Sequence, residues 1–321
     1  MGRYLLKKAG AAVLTIIFVL VLNFFIIHIA PGDPARILSG LDNPSPEVIQ
    51  TLREKYGLDK PLQVQLVTYF KRVIKGDLGH SIVYDRPVWT LIKERLGATL
   101  LLTFTSAIIA FVLGSLLGAY SATRQGSKVD AALSFVAYLL YSMPSFWLGL
   151  MLILVFASWL KILPTSGMVN LRAPSTGILH YLDVFWHLIL PATTLSLVQI
   201  PAYYRITRSS VSGVLKEDFI TMFRASGMDE RKIFRKYAFK NAILPTVTVF
   251  GLHLAYVVTG AALVEIVFAW PGMGRLMLGA IYRRDYPLLM GIYLIMSLSV
   301  AVTMIVVDIL YAVLDPRIRY T

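Results

Sequence analysis

Cysteine is absent from the 321 residues. That excludes disulfides, thiolate nucleophiles and Cys-ligated metal centres, and leaves the redox compartment unmarked. Charge is scarce: 15% of residues are charged, with 18 Asp and Glu against 31 Lys and Arg. Histidine occurs at only five positions, 28, 80, 180, 187 and 253, without metal-ligand spacing. Neither GxxxxGKS nor GxxxxGKT is present, so the chain carries no P-loop for ATP. GxSxG and HExxH are missing too, and the Ser, His and acidic residues are scattered. An intramembrane enzyme would need a catalytic pair at membrane depth, and none is visible.

What the chain has in quantity is apolar surface. It is 57% hydrophobic with mean hydropathy +0.68, the composition of a polytopic membrane protein. A net charge of +13 would suggest nucleic acid in a soluble chain. In this one it fits inner loops and anionic headgroups, with no nucleic-acid partner.

Six apolar stretches read as spans in an all-α fold: Ala9–Ala30, Ala98–Ala122, Ala131–Leu160, His187–Tyr204, Ile243–Phe268 and Leu288–Tyr311. They imply an N-terminal transmembrane helix (1–30), an external segment (31–97), a membrane core (98–315) and a cytoplasmic tail (316–321). The first run exceeds a signal peptide's apolar core of about 7–15 residues and lacks an A-x-A site, so we read a retained helix. Ala110, Gly114, Gly118 and Ala122 recur every four residues, a spacing that lets a second helix approach closely. The third stretch would extend about 45 Å against a bilayer core of about 30 Å. Pro144 is the expected kink within it. Pro191 and Pro201 make the fourth span an interior helix, because lipid cannot satisfy the carbonyls they free.

The external segment does not look disordered. Ser45-Pro46-Glu47 reads as N-cap, first helical residue and acidic first turn, with Gly57 as the stop. Leu62–Lys75 is a second amphipathic helix, with Leu66, Val67, Phe70, Val73 and Ile74 on its apolar side. Pro87–Leu96 is a third, leading into the membrane. Assigned inner segments carry 16 Lys and Arg against five in the two short outer loops. This bias places both termini and residues 205–242 in the cytoplasm.

Within that inner loop, Lys216–Pro245 reads as two short helices about a turn at Gly227. Leu215, Phe219, Met222 and Phe223 share one face of the first. Asp229 caps the second, whose buried stripe is Ile233, Phe234, Tyr237 and Ala238. An apolar patch among charges on a cytoplasmic surface marks an interface. Two acids within spans, Glu265 and Asp308, are the other candidates for function, each within about one turn of a span end.

Several strings, taken in order, carry a resemblance: PGDPAR (31–36), GDLGHS (76–81), SMPSFWLG (142–149), RITRSS (205–210), the 216–245 loop, WPGMGRL (270–276), RDYP (284–287) and DPRIR (315–319). Together they resemble the permease subunits of ABC importers, in the branch that carries dipeptides and oligopeptides. The resemblance implies a type I importer permease of the MetI-like fold, located in the cell membrane and not itself an enzyme. It implies a homologous second permease, two ABC ATPases, an extracellular substrate-binding protein and the lipid bilayer as partners. It implies no cofactor on this chain, since ATP and magnesium sit on the ATPases.

The 216–245 loop is similar to that family's cytoplasmic "EAA" loop, whose helix pair docks into the ATPase. The residues that resemblance implies for docking are Glu217, Asp218, Phe219, Thr221, Met222, Phe223, Ala225, Gly227 and Arg231. Thr221, Met222 and Phe223 stand where the general pattern has Glu-Ala-Ala, and Gly227 keeps its place six residues after Thr221. For the translocation path or gate we expect Pro191, Gln199, Pro201, Glu265 and Asp308. The expected cargo is a short peptide. The same branch also contains nickel, glutathione and oligosaccharide importers. An ion-coupled secondary carrier is the rival class, but no inverted repeat is visible.

Overall fold

A backbone in hydrocarbon must bond to itself, and helices achieve this within one segment. The computed structural model describes residues 2–29, 44–172 and 176–314, and regular structure there is helical. One isolated antiparallel bridge joins His80 and Pro87. The PGDPAR and DPRIR strings lie outside the described residues, as does the side chain of Asp308. The chain divides into two compact units, residues 1–98 with 272–321, and Thr99–Pro271.

Among the described residues, three helices are long and apolar enough to cross a bilayer: α4 (Val88–Ala122), α7 (Ile178–Val214) and the Tyr286–Val307 part of α13 (Tyr286–Leu314). Two more segments reach that length only as bent pairs. A shorter apolar stretch, Gly10–Ile26, lies in α1 (Gly2–Ile29).

The first unit builds its core from α1, α13 and the start of α4. α2 (Pro46–Tyr56) begins as expected: Ser45 accepts from the Val48 amide, Pro46 opens the helix, and Gly57 ends it at φ +68°. α3 (Leu62–Ile74) turns Leu66 and Tyr69 toward the core. Val67 and Ile74, expected on the apolar side, are exposed, because the core meets the face centred on Leu66 and Tyr69.

The Pro87–Leu96 stretch runs on without a break. It forms the first turns of α4, where Val88, Leu91 and Ile92 are buried beside Leu288 and Ile292 of α13. Gly291 allows this contact, since a Cβ there would collide with the Val88 side chain. Asp285 secures the neighbouring loop. Its buried carboxylate accepts from the Ser81 hydroxyl and from the amides of Ile82 (3.1 Å), Val83 (3.2 Å) and Leu288 (3.3 Å). WPGMGRL runs into α12 (Met273–Tyr282), which buries Met273, Leu276 and Ala280, and RRDYP follows it, so the expected outer loop is largely helix.

In the second unit the small-residue repeat of α4 has a partner, α7. A Cβ on Gly114 would lie 2.7 Å from Cβ of Tyr203, and one on Gly118 would lie 2.5 Å from the Tyr204 carbonyl oxygen. α7 also exceeds the expected span. It runs unbroken through Pro191 and Pro201, both buried, and takes in part of the expected outer loop and all of RITRSS.

The third span is broken rather than kinked. α5 (Lys128–Ser142) and the segment Ser145–Trp159, comprising α6 (Ser145–Leu152) and a π-helical stretch, meet at 106°. Met143 and Pro144 are both extended, at ψ 130° and 134°. Proline pushes its predecessor out of the helical region, and two extended residues in succession turn the chain.

The fifth span is interrupted as well. At its entry, α9 (Glu230–Ala242), which precedes the expected span, meets the segment from α10 (Leu244–Leu254) through the 3-10 turn Val257–Thr259 at a 43° bend. Gly260 at φ +78° then starts a new direction before α11 (Ala262–Val267). Left-handed backbone at this point suits glycine.

The glycine contact sets a test. Gly118→Val should destabilise the purified protein by about 1–3 kcal/mol, because backbone and not a flexible side chain blocks the new atoms. Gly213→Ala, with nothing within 4 Å of its Cβ, should be neutral or stabilising. Thermal unfolding in detergent measures both, and equal melting temperatures would refute the tight contact.

Candidate functional site

The 216–245 sequence folds into the expected helical hairpin. α8 (Asp218–Ala225) ends at Ser226, and Gly227 follows at φ +75°. No atom lies within 4 Å of a Cβ built on Gly227, so its need for glycine is conformational. Asp229 caps α9 by accepting from the Lys232 amide at 3.1 Å. The carboxylate of Glu230 receives two N–H donors from Arg224, at 2.7 and 3.3 Å, and ties the helices together across the turn. That bond holds the Arg224 guanidinium above its ordinary range.

Ile220, Ile233 and Ala238 form the hairpin's buried core. Val214 and Leu215 at the end of α7 pack against it, so the hairpin grows directly from α7. The expected stripe of α9 is found: Ile233 and Ala238 are buried, with Phe234 and Tyr237 half-buried. Ile220 went unnoticed in the sequence, because the apolar stripe read there, Leu215, Phe219, Met222 and Phe223, does not include it.

The expected docking residues divide between two jobs. Phe219 and Phe223 turn partly inward, and Phe223 stacks on Tyr237 with centroids 4.4 Å apart. Glu217, Asp218, Thr221, Met222, Ala225, Gly227 and Arg231 are exposed. Met222, 60% exposed, is the large apolar side chain at the centre of this face.

Beside the hairpin lies a polar cluster that sequence reasoning missed. The Asp130 carboxylate is buried and accepts from Arg208 at 2.7 and 2.8 Å. The Ser121 hydroxyl and the Gly126 amide also donate to it. The hydroxyl of Tyr204 lies 2.7 Å from that of Ser121 and 2.9 Å from that of Ser134. Together these groups clamp the α4–α5 turn to α7. A two-pronged Arg–carboxylate pair fixes orientation as well as distance. The available signal was Ser127-x-x-Asp130 opening an apolar run, a cap signature.

Of the expected path residues, Pro191 and Pro201 are buried in α7. Gln199 borders a cavity of about 240 Å³ together with Thr103, His253, Tyr256 and Gly260. Glu265 is fully buried in α11 and accepts from the Thr99 hydroxyl at 2.9 Å. It does not border that cavity.

Two family models match the chain. One, described as the binding-protein-dependent transport system inner membrane component, covers residues 110–320. The other, the N-terminal part of that membrane component, covers residues 1–103. The chain belongs to this family of ABC importer permeases. As a permease subunit it works with a partner permease, an ATPase and a binding protein, and it is not itself an enzyme.

Similarity to curated relatives runs end to end. The dipeptide transport permease DppB of Escherichia coli K12 is 36% identical over 337 residues, covering 100% of this chain and 99% of that one. The oligopeptide transport permease AppB of Bacillus subtilis is 36% identical over 325 residues, covering 100% of both. The glutathione transport permease GsiC of Salmonella choleraesuis is 38% identical over 320 residues, again covering 100% of both. An inward-facing structure of the MetNI methionine ABC transporter matches with TM-score 0.55 and 17% identity, over 70% of this permease and 96% of that chain. It establishes the expected all-α, type I permease fold.

Gly227 provides a discriminating test of the hairpin. Because only its φ is demanding, Gly227→Asn should retain ATPase co-purification. Gly227→Val should distort the turn at a cost of about 1–2 kcal/mol and reduce ATPase retention. Equal retention in the two variants would show that the left-handed turn is dispensable.

Proposed function

We propose that this permease forms half of the translocation path of an ATP-driven importer for short peptides. Residues 205–242 would face the cytoplasm together with both termini, and residues 31–97 would face outward. The finer partner set is a homologous second permease, two ATPase subunits and an extracellular binding protein. The observation that carries the coupling role is the exposed Met222 face on a hairpin whose own core is complete. Exposed apolar surface on a rigid, charged element suits a docking partner better than solvent. Peptide cargo follows from end-to-end similarity to relatives named for dipeptide, oligopeptide and glutathione transport.

In this scheme the ATPases close on ATP and carry the α8–α9 hairpin with them. The hairpin transmits that movement to α7, because Ile220 and Ile233 pack against Val214 and Leu215. Rigid-body rotation of the helices then turns the peptide cavity outward. Gln199 and the cavity beside it are the proposed lining of the path. Pro191 and Pro201 keep α7 in the interior, and Glu265 and Asp308 serve as gate or scaffold acids.

Met222→Asp tests docking. The permease should remain at normal abundance in the membrane, while ATPase retention or substrate-stimulated hydrolysis falls about tenfold, as for an interface hot spot. Unchanged values for both would refute the docking role.

Topology has its own test, because the chain lacks native cysteine. A cysteine at Ser45 should react with a membrane-impermeant thiol reagent on intact cells, and one at Ser226 only after lysis. The reverse pattern would invert the assignment.

A further inference from the structure

A groove of about 1140 Å³ lies between the end of α4 and α9. It exceeds the range of about 300–1,000 Å³ usual for small-molecule sites. Leu116, Leu117 and Tyr120 of α4 form one wall, and Phe234 and Phe239 of α9 form the other. This apolar surface continues along α4 onto exposed Val112 and Leu113. The groove therefore opens sideways toward the apolar flank of a span.

Its rim is basic. Arg231 and Arg235 border it. Arg124 lies over the Tyr120 ring, 4.7 Å from the centroid. Arg224 and Glu230 also line the groove, but they neutralise one another. Two arginines thus border an apolar slot at the end of a membrane helix, and a third lies over one of its wall residues. Tyr120 with Arg124 is the type of pair found at headgroup level.

We propose that this groove is a binding site for an anionic phospholipid. Acyl chains would lie along Leu116, Leu117 and the two phenylalanines, and the phosphate would meet Arg124, Arg231 and Arg235. Basic pockets between membrane helices recognise anionic headgroups by this combination. A bound lipid would brace α9 against α4 and link the coupling hairpin to bilayer composition. The inference rests on the reading of α4 as a span, and Arg231 is the groove residue it shares with the expected docking set.

The test uses the assembled transporter in phosphatidylcholine nanodiscs doped with a diazirine-tagged phosphatidylglycerol. Cross-links should map to peptides containing residues 116–123 and 231–239, and untagged phosphatidylglycerol should compete while phosphatidylcholine does not. Arg235→Gln should weaken labelling about fivefold, and Arg235→Lys should restore it. Leu116→Trp, which fills the slot with every charge intact, should also reduce labelling. Equal labelling by a tagged phosphatidylcholine would mean non-selective boundary lipid and would overturn the proposal. So would labelling that is present in the isolated permease but absent from the complex, since another subunit would then occupy the groove. ATPase co-purification, measured on the same samples, reports separately on the docking reading.

Discussion

The close approach of α4 to α7 at Gly114 and Gly118 is the contact on which the second unit depends. With no side chain at either position, the backbones meet. In a bilayer, where lipid tails offer helices no hydrophobic incentive to associate, such fit is the main source of attraction. Once α7 is held there, Tyr203 packs against Phe111, with ring centroids 5.8 Å apart. Tyr204 and Arg208 then reach the Ser121, Ser134 and Asp130 cluster from the same helix. Small residues and buried polar groups thus act at successive depths along one interface.

In the proposed coupling scheme, the Asp130 cluster and the hairpin have complementary mechanical roles. A buried carboxylate with four donors is costly to separate from its guanidinium partner, because an unpaired charge would remain in a poorly solvated place. That cost favours movement of α7 and the α4–α5 turn as one body. The hairpin, by contrast, is bound through apolar contacts around Ile220 and Ile233 and leaves its Met222 face open. An element that must engage a partner needs stiffness inward and an unfilled surface outward. The proposed lipid groove lies on the remaining side of the same hairpin, where its basic residues face the apolar flank of α4.

Much of this was legible in the residues, where local chemistry decides structure. Ser45, Pro46 and Gly57 bound one helix, Gly227 and Asp229 mark a turn and a cap, and the apolar runs locate the membrane segments. Four-residue spacing of small residues announced a close contact on α4. Family strings distributed from end to end identified the class of machine. In each case the information lies within a few residues, or in a composition that only a bilayer accommodates.

Other features required residues far apart in the chain. The sequence did not reveal that the Gly114 and Gly118 face meets α7, because spacing specifies a contact and not its partner. Asp130 drew no notice in the sequence, because its partner Arg208 lies 78 positions away. Asp285 became a clamp only when residues 81–83 folded over it. The third span passed for one kinked helix because hydropathy is blind to backbone direction, whereas extended Met143 and Pro144 turn it through 106°. The sequence by itself determined the membrane-embedded class, the positions of the apolar segments and the hairpin turn, because propensity, hydropathy and capping act locally. Tertiary structure alone decided which helices touch, where spans break and which charges are buried, because those depend on geometry between segments that no local pattern encodes.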